Sequence, residues 1–148
     1  MQNLNALFFD NEIITTSVIA WFIAQLLKVL FVLIGQKKID FSRFVGSGGM
    51  PSSHSAFVVS LTTAIGKNVG PNSVEFAIAF AVAMVVMYDA SGVRRAAGQQ
   101  ARILNKLVEQ WGKKDPHFVE DQLKELLGHT PFEVLVGALL GIAIGLAR

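Results

Sequence analysis

Two histidines in this chain stand where they could do chemistry: His54, in Gly48-Gly49-Met50-Pro51-Ser52-Ser53-His54-Ser55, and His129, in Gly128-His129-Thr130-Pro131-Phe132-Glu133. Each immediately precedes a strongly apolar segment. An imidazole can attack a phosphorus centre or pass a proton to a leaving group near neutral pH. Two of them converging on one point would make a reaction site. The first motif pairs proline, favoured in the first turn of a helix, with serines that offer hydroxyls at a helix N-terminus, an end whose free N–H groups bind anions and phosphate above all. Helix capping alone explains the same serines and proline, so this motif has a purely structural alternative. In the second motif His129 and Glu133 are four residues apart on one helical face, so the carboxylate can hold the imidazole in one tautomer with its other nitrogen pointing outward. This is the base-and-orienter arrangement of covalent catalysis.

The elements that must bring these groups together are membrane helices. With 148 residues, 52% of them hydrophobic and 16% charged, and a mean hydropathy of +0.49, the chain reads as one membrane domain spanning residues 1–148. The expected fold is all-α, an integral membrane helical bundle of about four membrane segments plus an amphipathic helical arm. A net charge of +2 and a pI near 9.1 do not point to nucleic acid, because no basic run is interleaved with aromatics and basic loops set topology in membrane proteins. The absence of cysteine excludes disulfides and thiolate metal sites. Met1 to Glu12 contains no Lys or Arg, so the first apolar stretch is expected to be kept as a membrane helix and not cleaved as a signal peptide.

That stretch, Ile13 to Ile34, has the roughly 20 residues a helix needs to cross a bilayer, interrupted by Gln25 and Lys28. Lys28 either carries its ammonium to headgroup level on its long stem or faces the interior, and snorkelling is the favoured expectation. Met50 to Gly66 is a short span or a half-inserted helix. After the Gly70-Pro71 turn signal, Val74 to Tyr88 forms a third segment. Val93, Ala97, Gln100, Leu104, Leu107 and Trp111 recur at spacings of three and four, which predicts an amphipathic helix continuing beyond it and ending between Gly112 and Pro116. A short helix is expected at 118–127. Phe132 to Ala147 is the last segment, and its Gly137, Gly141 and Gly145 form a ridge that lets another helix pack closely; it is the candidate face for a homo-oligomer.

With four crossings, Lys37, Lys38, Arg43, Arg94, Arg95, Arg102, Lys106, Lys113, Lys114 and Lys124 fall on one side, and Lys67 and Arg148 on the other. The positive-inside rule then puts both histidine motifs at the cytoplasmic face, with the cell membrane as the expected location. His54 opens the second segment and His129 the fourth, so both lie at the same membrane level.

The Pro-Ser-Ser-His segment resembles the second signature of the type-2 phosphatidic acid phosphatase superfamily, which includes lipid phosphatases, polyprenyl diphosphate phosphatases and vanadium haloperoxidases. Gly128 to Gly137 is similar to the end of its third signature. Together with Tyr88 to Gly98 and Gln100 to Asn105, the whole chain looks most like the divergent branch of that superfamily. The resemblance implies that His129 is a nucleophile forming a phosphohistidine, that Glu133 orients it where the family usually has Asp, and that His54 protonates the leaving group. It further implies that Ser52, Ser53 and nearby amides cradle phosphoryl oxygens, with no metal and no cofactor. Two departures stand out. The first signature has Lys, six residues, then Arg-Pro, whereas here Lys37 and Lys38 precede Arg43 at shorter spacings and Phe44 follows. The third has Arg six residues before the histidine, where this chain has Leu123 beside Lys124. Lys38, Arg43, Arg94 and Arg95 are the candidate phosphate-binding cations, Arg94 and Arg95 being equally readable as interfacial anchors. The resulting expectation is a membrane phosphatase acting on a lipid phosphate or diphosphate. The alternative is an inactive protein of the same fold that binds anionic lipid or a partner protein.

Overall fold

The computed structural model describes residues 10–36, 49–112 and 128–148. Lys37, Lys38, Arg43, Lys113, Lys114, Lys124 and the helix expected at 118–127 lie outside the described residues. Among those described, the structure is five helices and no strand: α1 (Glu12–Gln36), α2 (Ser53–Asn68), α3 (Val74–Ser91), α4 (Val93–Gly112) and α5 (Pro131–Ala147). The four apolar segments and the arm are therefore all helical, as expected.

Local chemistry sets the ends of these helices. Asn11 accepts the N–H groups of Ile13 and Ile14 through its side-chain oxygen, and Ser52 caps α2 by accepting the Ser55 N–H. Ser73 caps α3 by accepting the Phe76 N–H at 3.1 Å. Gly70, at φ +108°, makes the turn before α3 in a backbone region that glycine occupies without steric cost. At the start of α5, Thr130 and Glu133 form a reciprocal capping box.

The side-chain distribution is inverted relative to a water-soluble bundle. Large apolar groups point outward: Phe22, Leu26, Leu30 and Phe31 on α1; Ile78, Phe80, Val82 and Val85 on α3; Leu135, Leu139 and Ile142 on α5. The interior is made of small and hydroxylated residues, among them Ala20, Ala24, Ala56, Ala83, Ser17, Ser55, Ser60 and Thr62. In water so much exposed apolar surface would drive aggregation. In a bilayer it is solvated by lipid, and close backbone approach with interhelical hydrogen bonds holds the helices together.

Helix α2 is the axis of this arrangement and packs against α1, α3 and α5. The glycine ridge of α5 rests on it, Gly137 against the Ser52 carbonyl, Gly141 against the backbone of Ala56 and Ser60, and Gly145 against Thr63. These contacts advance together along both chains, so α2 and α5 run parallel, with their N-termini at the same end. The ridge is thus filled from within the chain, and Gly137, Gly141 and Gly145 are buried. That corrects the expectation of a homo-oligomer through this face: the close approach that glycine permits is already used by α2. At the opposite end, the Lys67 ammonium donates to the Leu146 carbonyl at 3.1 Å. The Thr62 hydroxyl lies 2.8 Å from the Val58 carbonyl and 3.1 Å from that of Ala79, tying α2 to α3. With 16 residues, about 24 Å of helical rise, α2 lies beside α5 from its N-cap Ser52 to Thr63.

The arm is interrupted where it leaves the bundle. Gly92 adopts φ −106° and ψ −85° between α3 and α4, and its N–H donates to the Tyr88 carbonyl. Beside this break the Ala90 carbonyl accepts the His129 N–H at 3.0 Å. A Cβ on Gly128 would collide with the backbone of Arg94 and Arg95. The segment carrying His129 is therefore pressed onto the junction of α3 and α4.

Candidate active site

The two histidine motifs meet at the end of the bundle where α2 and α5 begin. The imidazole centroids of His54 and His129 are 6.3 Å apart, with the rings inclined at 63°. Their approach is fixed through the main chain, since the Ser52 N–H donates to the Glu133 carbonyl at 3.1 Å while the His129 N–H is held by Ala90. The turn that opens α2, the turn that opens α5 and the α3–α4 junction are consequently one hydrogen-bonded unit.

Within it, the Glu133 carboxylate holds Nδ1 of His129 at 3.1 Å and accepts the Thr130 N–H at the same distance through the same oxygen. One side chain thereby caps α5 and orients the imidazole. With the carboxylate as acceptor, Nδ1 carries the proton and Nε2 presents a lone pair. That Nε2 is buried and has no hydrogen-bond partner among the described residues, and the same holds for Nδ1 of His54. Buried polar nitrogens are normally paired, and two orphans side by side mark a place built to receive something polar. Burial pushes the His129 pKa below its ordinary value, while the hydrogen bond that its Nδ1–H donates to Glu133 pulls against that shift. The ring is therefore neutral and nucleophilic at pH 7.

The surroundings are electropositive. Two helix N-termini, those of α2 and α5, converge here, each with a positive dipole end. Ser52 is fully buried and is spent on capping, its Oγ accepting from both the N–H and the hydroxyl of Ser55. Ser53 is also buried, and its Oγ accepts from the Lys28 ammonium at 3.2 Å. Lys28 is only 2% exposed, which overturns the expectation that it snorkels to the headgroups: it lies on the stripe of α1 that packs inward with Ala20 and Ala24. Arg94 donates through Nε to Asp89 at 2.6 Å and acts electrostatically on both imidazoles. The Arg95 side chain is exposed, and it is its backbone that meets Gly128.

His54, His129, Glu133, Ser52, Ser53 and Arg94 thus gather at one end of the bundle. Lys38 and Arg43 are among the residues not described. Lys28 is the member of the cluster that sequence reasoning missed; its signal was a lone cation eight residues before the end of an otherwise apolar helix, in line with the interior alanines.

A family model described as the Divergent PAP2 family matches residues 9–144. The Uncharacterized membrane protein YuiD of Bacillus subtilis (strain 168) is 43% identical over 146 residues, covering 92% of each chain. No solved structure matches the chain.

Proposed function

The chain belongs to the Divergent PAP2 family, and with that as premise we propose that it is a membrane phosphatase hydrolysing a lipid phosphate or diphosphate through a phosphohistidine on His129. One observation carries this reading: the buried imidazole of His129 and the half-buried one of His54 lie 6.3 Å apart, each with a ring nitrogen that is buried and has no partner among the described residues, and the first is held by a carboxylate. In the first step Nε2 of His129 attacks phosphorus, the N–P bond forms as the bond to the leaving oxygen breaks, and His54 gives that oxygen its proton. In the second, His54 takes a proton from water, whose oxygen attacks phosphorus and breaks the N–P bond, releasing inorganic phosphate and restoring both rings. Glu133 keeps Nδ1 of His129 protonated and steadies the positive charge that develops on the ring. The substrate's tail stays in the bilayer while its phosphoryl group enters between the N-termini of α2 and α5.

Phosphate release by the purified protein from a panel of polyprenyl and glycerolipid phosphates and diphosphates tests the reading, and no release from any of them would count against it. The pH profile adds a second check. Because burial lowers the His129 pKa, the acid limb of kcat/KM falls below pH ~6.5, the ordinary imidazole value. Glu133→Gln removes the carboxylate that raises that pKa, so the limb moves to still lower pH while the rate drops. A limb at or above the ordinary value would contradict the assignment of His129.

The site is proposed to face the cytoplasm of the cell membrane, from the excess of Lys and Arg at its end of the chain. The chain has no cysteine of its own, so single cysteines at Gln99 and Asn72 report opposite ends of the bundle without background. In intact cells an impermeant maleimide is expected to label Asn72→Cys and spare Gln99→Cys; the reverse pattern would invert the orientation.

A further inference from the structure

Lys28 is the least expected group in the bundle, and its surroundings say what it is for. Its ammonium is buried in the inward face of α1, donates one hydrogen bond, to the Ser53 hydroxyl, and has no carboxylate within ion-pair distance among the described residues. An ammonium carries three donors and a full charge, so among the described residues the hydroxyl leaves two donors unused and the charge unmatched. Glu133 acts on it electrostatically from beyond bonding distance, its near oxygen already occupied by His129 and Thr130. A cation left in this state inside a membrane bundle is costly unless an anion completes it.

Three further features converge on the same point. Ser53, which the ammonium touches, is the first residue of α2, where the N–H groups of Ser53 and His54 have no helical carbonyl to meet. Ser53 is followed directly by His54, and the ring of His129, whose Nε2 has no partner among the described residues, lies 6.3 Å from that of His54. We propose that Lys28 is the principal anion-binding cation of the site, holding a phosphoryl oxygen jointly with the N-terminus of α2 from within the bilayer. This rests on the phosphatase reading for the identity of the anion, but not for its existence. Lys28 lies eight residues before the last residue of α1, about 12 Å of helical rise.

The test uses full-length purified protein in detergent and orthovanadate, a phosphate mimic whose binding needs no turnover. Lys28→Met keeps the length of the side chain and removes its charge. Because a buried, half-paired charge is often replaced by an apolar isostere without loss of stability, this variant is expected to melt at or above the wild-type temperature. It should bind orthovanadate about 10- to 100-fold more weakly, with Lys28→Arg in between. Ser53→Ala, which leaves the ammonium in place but removes a hydroxyl of the site, should weaken binding clearly less than Lys28→Met, and Lys67→Met at the opposite end should not differ from wild type. Unchanged orthovanadate affinity in Lys28→Met would overturn the proposal. So would equal losses of binding and melting temperature in Lys28→Met and Ser53→Ala, because Lys28 would then serve only to brace Ser53. A wild-type protein that binds orthovanadate through Lys28 yet hydrolyses no lipid phosphate would sink the phosphatase reading and leave this one standing.

Discussion

Replacing His129 by alanine is expected to abolish phosphate release, with a loss on the order of 10⁴-fold or more, as follows when the atom that bonds to phosphorus is removed. His54→Ala should cost about 10²- to 10⁴-fold, the range of a positioned acid. Its effect should be largest on monoesters with alkoxide leaving groups and smallest on diphosphates, whose departing phosphate needs no proton. The two rings share one site, so their losses should not multiply: the double variant is expected to be hardly slower than His129→Ala alone. Both variants keep the Thr130 and Glu133 capping box, so the fold is expected to survive, which circular dichroism and the melting temperature would check. A protein whose rate is indifferent to His129 would end the phosphohistidine account, as would losses that multiply.

The second large effect concerns Gly137. Helix propensity alone predicts that Gly137→Ala stabilises α5 by about 1 kcal/mol. Packing predicts the opposite and by more, because the new methyl would overlap the Ser52 carbonyl oxygen and also press on the Ser52 Cβ. That oxygen belongs to the backbone of a turn whose N–H is bonded to Glu133, so it cannot swing away as a flexible side chain would. Overpacking of this kind costs about 1–3 kcal/mol and sometimes more, and Gly137→Val should exceed it. The expected result is a lower melting temperature together with a fall in activity beyond that explained by unfolded protein, because the wedge separates Ser52–His54 from His129–Glu133. Leu139→Ala, on the outward face of the same helix, is the control and should do neither. A Gly137→Ala protein as stable and as active as wild type would show that α2 and α5 are not in the contact described here.

The sequence by itself determined a good deal. Its hydropathy marked four apolar segments and the three-and-four spacing of Val93 to Trp111 marked the arm, because a helix's apolar period is a property of neighbouring residues. It also determined the pairing of His129 with Glu133, a contact between residues four apart that the capping turn makes locally, His129 standing just before the N-cap Thr130 and outside the helix. The break at Gly92 was not legible, since it depends on the Ala90 carbonyl meeting His129, far along the chain. Nor was the fate of the glycine ridge: spacing of four says that a helix can come close, and only the assembled bundle says which. Lys28 makes the same point most sharply. The sequence favoured the headgroup for this lone lysine in an apolar helix; its interior place shows only in the packed bundle, where its ammonium meets Ser53, 25 residues away. Local periodicity and capping are written in short stretches of chain; the convergence of two imidazoles and an ammonium requires the starts of α2 and α5 to meet beside α1, and that belongs to the tertiary structure.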